Sequence, residues 1–320
     1  MPADLVPLAS PSQIERTPSR EDGIPEDLEE DLRAFGCKLI HEAGILLKQK
    51  QVAVATAQIL FQRFWYATSM KQFGIGVSLT TSMSCFNFGQ EPIFITRTQD
   101  IGMGALYLAS KLEECPLRMR DLINIYDLLL QRTTHTLSSS TPSSSPSLAK
   151  GKDTFKYAPM SYFGNTFYDL KDALVVAEMQ ILKRLGFNVH VVLPYGTLIN
   201  YLRVLGLTSR KDACARAWGY LNDALQTPVY ALYAVPTIVS AAILLTSRQL
   251  DISLPSSPPN CWWDLFDAPW EDVWSVCGCI MHLYRDRTGE DRMRVLRLVS
   301  KKDVRGWLEE NVNAGVGVRT

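Results

Sequence analysis

The sequence predicts an all-α protein built as two successive helical bundles. Apolar residues recur at three- and four-residue spacing in one segment after another, and no stretch alternates apolar and polar residues as a half-buried strand does. A chain of 320 residues that is 47% hydrophobic also has enough apolar surface for two cores. The first bundle is expected within 25–205 and the second within 206–310, with a junction near Gly206, a disordered lead over 1–24 and a tail over 311–320.

The lead has no basic start followed by an apolar run, so it reads as disordered chain and not as a secretory signal. PEDLEEDLRAFGCKLIHEAGILLK opens with Pro25 and acidic residues, as a helix N-terminus favours, and sets Leu32, Phe35, Leu39, Ala43 and Leu46 on one face of a leading helix. In QVAVATAQILFQRFWYATS, Val52, Thr56, Ile59, Leu60, Phe64 and Tyr66 leave few positions for solvent, which places this helix near the bundle centre. Gly102, Gly104, Ala105 and Ala109 in DIGMGALYLASKLEECP permit close helix approach until Pro116 ends the run. RMRDLINIYDLLLQR follows with Leu122, Ile125, Tyr126 and Leu129 on one face. The Ser-, Thr- and Pro-rich run from Thr133 has too little apolar content to offset its ordering entropy, so 133–167 is read as a flexible loop inside the first bundle.

YDLKDALVVAEMQILKRLGF restores the helical period through Leu170, Leu174, Ala177, Ile181 and Leu185, with Gly186 as the stop, and LPYGTLINYLRVLGL is expected to close the first bundle. The second is expected from KDACARAWGYLNDALQ, the apolar run over 229–245, the short CWWDLF and PWEDVWSVCGCIMHLYRD. The apolar run is read as a buried helix, because Pro236 interrupts it and suits a first helical turn. No membrane association is expected.

Composition narrows the chemistry. With 33 basic and 33 acidic residues there is no global field for phosphate neutralisation, so no direct nucleic-acid binding is expected. The 7 cysteines are scattered without a CxxC pair and fit free thiols in a reducing compartment. No P-loop, G-x-S-x-G or H-E-x-x-H occurs, and the 4 histidines are dispersed, so no catalytic residue, cofactor or metal ligand is assigned.

Several stretches resemble the cyclin family, closest to its cyclin L branch, over roughly 25–286. VATAQILFQRF (54–64), the ASKLEE core, LeuGlyPhe followed by Val189-His190, and Trp218-Gly219-Tyr220-Leu221-Asn222-Asp223 match that branch in order. The resemblance implies two tandem five-helix cyclin boxes after a leading helix. It also implies a regulatory subunit, itself not an enzyme, that activates a cyclin-dependent serine/threonine kinase of transcription or splicing type by holding the kinase αC helix inward. The implied setting is the nucleus, with RNA polymerase II transcription and pre-mRNA splicing as the process and their machinery as further partners.

Lys111 and Glu178 match the family's kinase-contacting pair. Such a Lys supplies donors and such a Glu acceptors to the partner's backbone. Leu112, Glu114, Leu117 and Phe187 are expected to add contact, with an ion pair of Glu113 or Glu114 to Arg118 or Arg120 as the structural alternative. Gln51-Val52-Ala53-Val54-Ala55 lacks the Met and Arg of the cell-cycle docking patch, which favours the transcriptional branch, and no Arg-Ser-rich tail follows before Thr320. Two other functions stay open: a protein resembling transcription factor IIB, against which stand the missing zinc ribbon and the neutral balance, and a cyclin-fold scaffold with no kinase.

Between two strong helices lies VSLTTSMSCFNFGQEPIFITRTQ (77–99), and deleting it restores the family's spacing. Val-Ser can be encoded by the splice-donor sequence GTAAGT and a terminal Gln by CAG, so the segment reads as a retained in-frame fungal intron. The alternative is a lineage-specific surface loop. In both readings it is excluded from the core.

Overall fold

The computed structural model describes residues 9–71, 98–140, 155–257 and 261–285. These residues form α1 (Pro11–Glu15), α2 (Pro18–Glu21), α3 (Glu26–Leu46), α4 (Gln51–Ala67), α5 (Thr98–Leu112), α6 (Met119–Ser140), α7 (Asn165–Arg184), α8 (Tyr195–Val204), α9 (Lys211–Ala224), α10 (Val229–Leu232), α11 (Val235–Gln249) and α12 (Trp270–Leu283). A 3-10 turn at Asp264–Phe266 precedes α12. No strand occurs among the described residues.

Local chemistry sets the helix ends. Pro25 occupies the N-cap of α3, and Glu26, Asp27 and Glu29 in its first turn complement the helix dipole. Pro236 lies in the first turn of α11, where its missing N–H removes no intrahelical bond. Gly186 takes φ 57° just past α7, and the Phe187 N–H reaches the Leu182 carbonyl at 2.8 Å, closing the last turn.

The elements sort into two five-helix cores. In the first, α4 lies at the centre: Phe61, Phe64 and Trp65 are fully buried against Leu28, Leu32 and Ile40 of α3, Leu106 of α5, Tyr126 of α6 and Ile181 of α7. The second gathers Leu198 and Leu202 of α8, Leu221 of α9, Val229 of α10, Ile238 of α11 and Val276 of α12. Ala55 and Ile59, on the other side of α4, belong to this second core, so the helix is shared. Polar bonds reinforce the junction: Gln51 Nε2 donates to Tyr195 Oη at 3.3 Å and to Asn222 Oδ1 at 3.2 Å, and Gln62 Nε2 to the Gln226 carbonyl at 3.3 Å.

Three boundary expectations change. The junction falls ahead of Tyr195 and not near Gly206, because the buried face of α8 packs on α9 and α11; the helical period shows that a face is buried, not which neighbour buries it. The lead is ordered from Ala9 onward. Thr17 Oγ1 donates to Glu29 Oε2 at 2.8 Å, Ser19 Oγ accepts the Met70 N–H at 3.1 Å, and both side chains are buried, so polar anchors hold a segment with few apolar ones.

The 133–167 loop also shrinks. α6 continues through Ser140 and α7 begins at Asn165. Between them, Tyr157 Oη donates to Asp127 Oδ2 at 3.1 Å and Gln131 Nε2 to the Ala158 carbonyl at 3.0 Å, pinning the chain to α6. Residues 141–154 and 286–320 lie outside the described residues, as does 77–99 except for Thr98 and Gln99, which begin α5.

Candidate functional site

The two charged residues singled out in the sequence meet. Lys111 is in the last turn of α5 and Glu178 is well along α7, and Nζ lies 2.6 Å from Oε1. Gly104, two turns before Lys111, lets the helices come this close: a Cβ there would sit 2.9 Å from Ala177 Cβ and 3.0 Å from the Glu178 backbone nitrogen. The Lys111 ammonium also lies 4.1 Å from the centroid of the Tyr107 ring, a favourable cation–π distance.

The pair is at the surface, with the Lys111 side chain 44% exposed and that of Glu178 15%. An ammonium has three donors and a carboxylate about four acceptor sites, so their mutual bond leaves capacity on both for a partner's backbone.

The α5 stop shapes one side of the site. Glu114 takes φ 51° and the Cys115 N–H bonds the Ser110 carbonyl at 2.9 Å, so a residue with a side chain occupies the left-handed closing position usually given to Gly. Its carboxylate is exposed. Neither Glu113 nor Glu114 pairs with Arg118 or Arg120: Glu113 Oε1 accepts Thr56 Oγ1 at 2.7 Å, and Arg120 lies over the Tyr162 ring at 3.6 Å. Leu112 is exposed, whereas Leu117 is half-buried against the first core and has less area to offer. Phe187, beyond α7, takes φ 61° immediately after the positive φ of Gly186, and its ring is 69% exposed.

The sequence reading missed an apolar row on α7. Tyr168, Val175 and Met179 are exposed, and their spacing puts them on one face of the helix, with Met179 next to Glu178. The signal was present: all three are apolar and fall off the buried stripe of Leu174, Ala177 and Ile181. The face can therefore exclude water around a charged pair, which suits docking. Among the described residues no group of His, Cys, Asp or Glu is placed to hold a metal ion, and no helix is long and apolar enough to cross a membrane.

No family model matches the chain. Among curated proteins, cyclin-L2 of Homo sapiens is 34% identical over 277 residues, spanning 87% of this chain and 45% of its own length. Cyclin-L1 of Danio rerio is 35% identical over 299 residues, spanning 93% of this chain and 50% of its own. The chain thus spans about half the length of the curated relatives it matches. Among solved structures, a chain of the yeast RNA Pol II CTD kinase CTDK-1 complex superposes with a TM-score of 0.57 at 17% identity, covering 98% of this chain and 86% of that one. A chain of the CAK complex of Chaetomium thermophilum bound to ATP-gamma-S gives 0.50 at 14% identity, covering 99% and 95%. At these identities the structures establish the fold alone; the curated relatives, similar over most of this chain, place it in the cyclin family, on the side of the cyclins L.

Proposed function

We propose that the chain is the regulatory subunit of a cyclin-dependent serine/threonine kinase that serves RNA polymerase II transcription and pre-mRNA splicing in the nucleus. The observation that carries the reading is the surface pairing of Lys111 with Glu178 beside exposed Leu112, Val175 and Met179. Apolar contact along α7 would remove water from the pair, and hydrogen bonds to an ion in such a setting are about twice as strong as neutral ones. The α5 and α7 helices, locked together at Gly104, form a rigid platform for the kinase segment leading into αC. Seating that segment holds αC inward, so that its glutamate pairs with the nucleotide-binding lysine. The chemistry belongs to the kinase.

The test is co-expression with transcriptional and splicing cyclin-dependent kinases. The double variant Lys111→Ala, Glu178→Ala is expected to lose co-purification and activation while keeping its melting temperature within a few degrees, since surface ion pairs contribute at most about 1 kcal/mol to folding. Full affinity and activation in that variant would refute the assignment.

A further inference from the structure

We propose a modification site: Thr17, in the N-terminal arm over 9–24, is phosphorylated by a proline-directed serine/threonine kinase, and the phosphate releases the arm from the two bundles. Six Ser or Thr residues of the chain precede a proline, and Thr17 alone among them has a basic residue three positions on, in Thr17-Pro18-Ser19-Arg20. A hydroxyl, the proline after it and a cation just beyond form the pattern such a kinase reads in an extended substrate, its acidic groups taking the guanidinium.

In the closed arm that hydroxyl is a latch. Thr17 caps α2, accepting the Arg20 N–H at 3.3 Å, and donates from Oγ1 to Glu29 Oε2 at 2.8 Å. Thr17 and Glu29 are each only 1% exposed, and Glu29 also accepts Arg20 Nε at 3.0 Å and pairs with the buried Arg33. Phosphoryl transfer joins Oγ1 to the γ-phosphorus of ATP and breaks that phosphorus from the oxygen bridging to the β-phosphate. ADP leaves, and the hydroxyl proton passes to the kinase's catalytic aspartate. The product has lost the donor that met Glu29 and sets a charge of about −1.5 to −2 beside a carboxylate. An enclosed position also has no space for the added phosphoryl oxygens, so the closed arm excludes the modified residue.

The kinase meets Thr17 when the arm opens. The arm's helices have 5 and 4 residues, too short to hold without tertiary contacts. Its other anchors are polar: Ser19 Oγ with the Met70 N–H at 3.1 Å, Gln13 Nε2 with the Tyr66 carbonyl at 3.2 Å, and the Ala9 N–H with the Ala231 carbonyl at 2.8 Å. Terminal segments held in this way open locally without global unfolding. Phosphate added in the open state blocks reclosure. Because the arm runs from Glu29 of α3 past α4 to Ala231 of α10, its release removes a strap across both bundles. The site is separate from the Lys111 face and does not rest on the regulatory-subunit reading, since a separately supplied kinase tests it.

The full chain is incubated with Mg-ATP and an active proline-directed kinase that brings its own regulatory subunit. Mass spectrometry locates the phosphate, and amide hydrogen exchange is followed before and after. Phosphate is expected on Thr17, and the phosphorylated chain should exchange the amides of the arm and of Met70 about tenfold faster or more. Pro18→Ala keeps the hydroxyl and its bond to Glu29 but loses the proline that is read, and should slow modification of Thr17 by about tenfold or more. Ser19→Ala removes a different anchor and keeps Thr17, Pro18 and Arg20, so its Thr17 should be modified several-fold faster. No phosphate on Thr17 in either the unaltered chain or Ser19→Ala, or a phosphorylated arm that exchanges as slowly as the unmodified one, overturns the proposal.

Discussion

Gly104→Ala separates tertiary packing from helix propensity, because the two push in opposite directions. Taken alone, replacing a helical Gly by Ala stabilises by about 1 kcal/mol. Here the new methyl would sit 2.9 Å from Ala177 Cβ, 3.0 Å from the Glu178 nitrogen and 3.1 Å from the Ala177 carbonyl carbon, where ordinary contacts begin at 3.4 Å. Two of those three atoms are backbone and cannot turn aside, so α7 has to move out by about half an ångström; overpacking of this kind costs about 1–3 kcal/mol.

The net expectation is a loss of roughly 0–2 kcal/mol, or a melting temperature lower by up to about 8 °C for a chain of this size. Because the struck atoms include the Glu178 nitrogen, kinase capture should fall with it. Gly219→Ala and Gly278→Ala are the controls, since a Cβ at either position meets nothing within 4 Å. They should stabilise by about 0.5–1 kcal/mol. Urea and thermal unfolding of the three variants decide. A Gly104→Ala protein as stabilised as the two controls would refute the argument that this glycine sets the α5–α7 distance.

The buried charge at the foot of the arm gives another test. Glu29 accepts from Thr17, Arg20 and the buried Arg33, so Glu29→Ala leaves Arg33 without its counter-charge; removing one partner of a buried pair costs about 3–5 kcal/mol. Glu26→Ala, which removes an exposed contact to Arg20 and one of the three first-turn carboxylates of α3, should cost about 1 kcal/mol or less, and urea midpoints distinguish the two. Alkaline pH gives the last test. Burial pushes the Cys37 thiol from its ordinary 9.0 up to about 12. Above pH 9 the unfolded chain therefore gives up that proton while the native one keeps it, so the unfolded state binds fewer protons and stability falls as pH rises towards 12. The slope approaches about 1.4 kcal/mol per pH unit for the thiol. Cys37→Ala should flatten the fall in the urea midpoint between pH 9 and 11, and an unchanged slope would show that this thiol is not the group responsible.

The helices were legible because each buried face repeats on the helical period. Leu174, Ala177 and Ile181 are completely buried, as their spacing required, and Pro236 lies in the first turn of its helix. What the period does not encode is the partner of a buried face. Tyr195, Leu198 and Leu202 have the same pattern in either bundle, and only the three-dimensional arrangement assigns them to the second. The arm was illegible for a different reason. Its anchors are Thr17, Ser19 and Arg20, whose worth depends on Glu29 and the Met70 N–H arriving from elsewhere in the chain. A composition argument counts such residues as evidence for disorder.

The charged site was legible by residue type and position in a motif, but its geometry was not. Spacing along the chain could not say that Lys111 and Glu178, 67 residues apart, would lie within hydrogen-bond reach. That follows from Gly104, whose missing side chain decides how near α7 can come and so whether one long Lys side chain spans the gap. The glycine was read in the sequence as permitting close approach, without a partner helix. The same logic explains why the burial of Arg63, whose Nη1 donates to the His190 carbonyl at 2.8 Å, passed unnoticed. In LFQRF it reads as one polar position on a helix otherwise bound for the core, and a lone arginine there is ordinarily taken to reach solvent. Its position under the arm, at the seam of two bundles and with Nε unpartnered, depends on contacts from Ala9, His190 and Ala231 that no local pattern records.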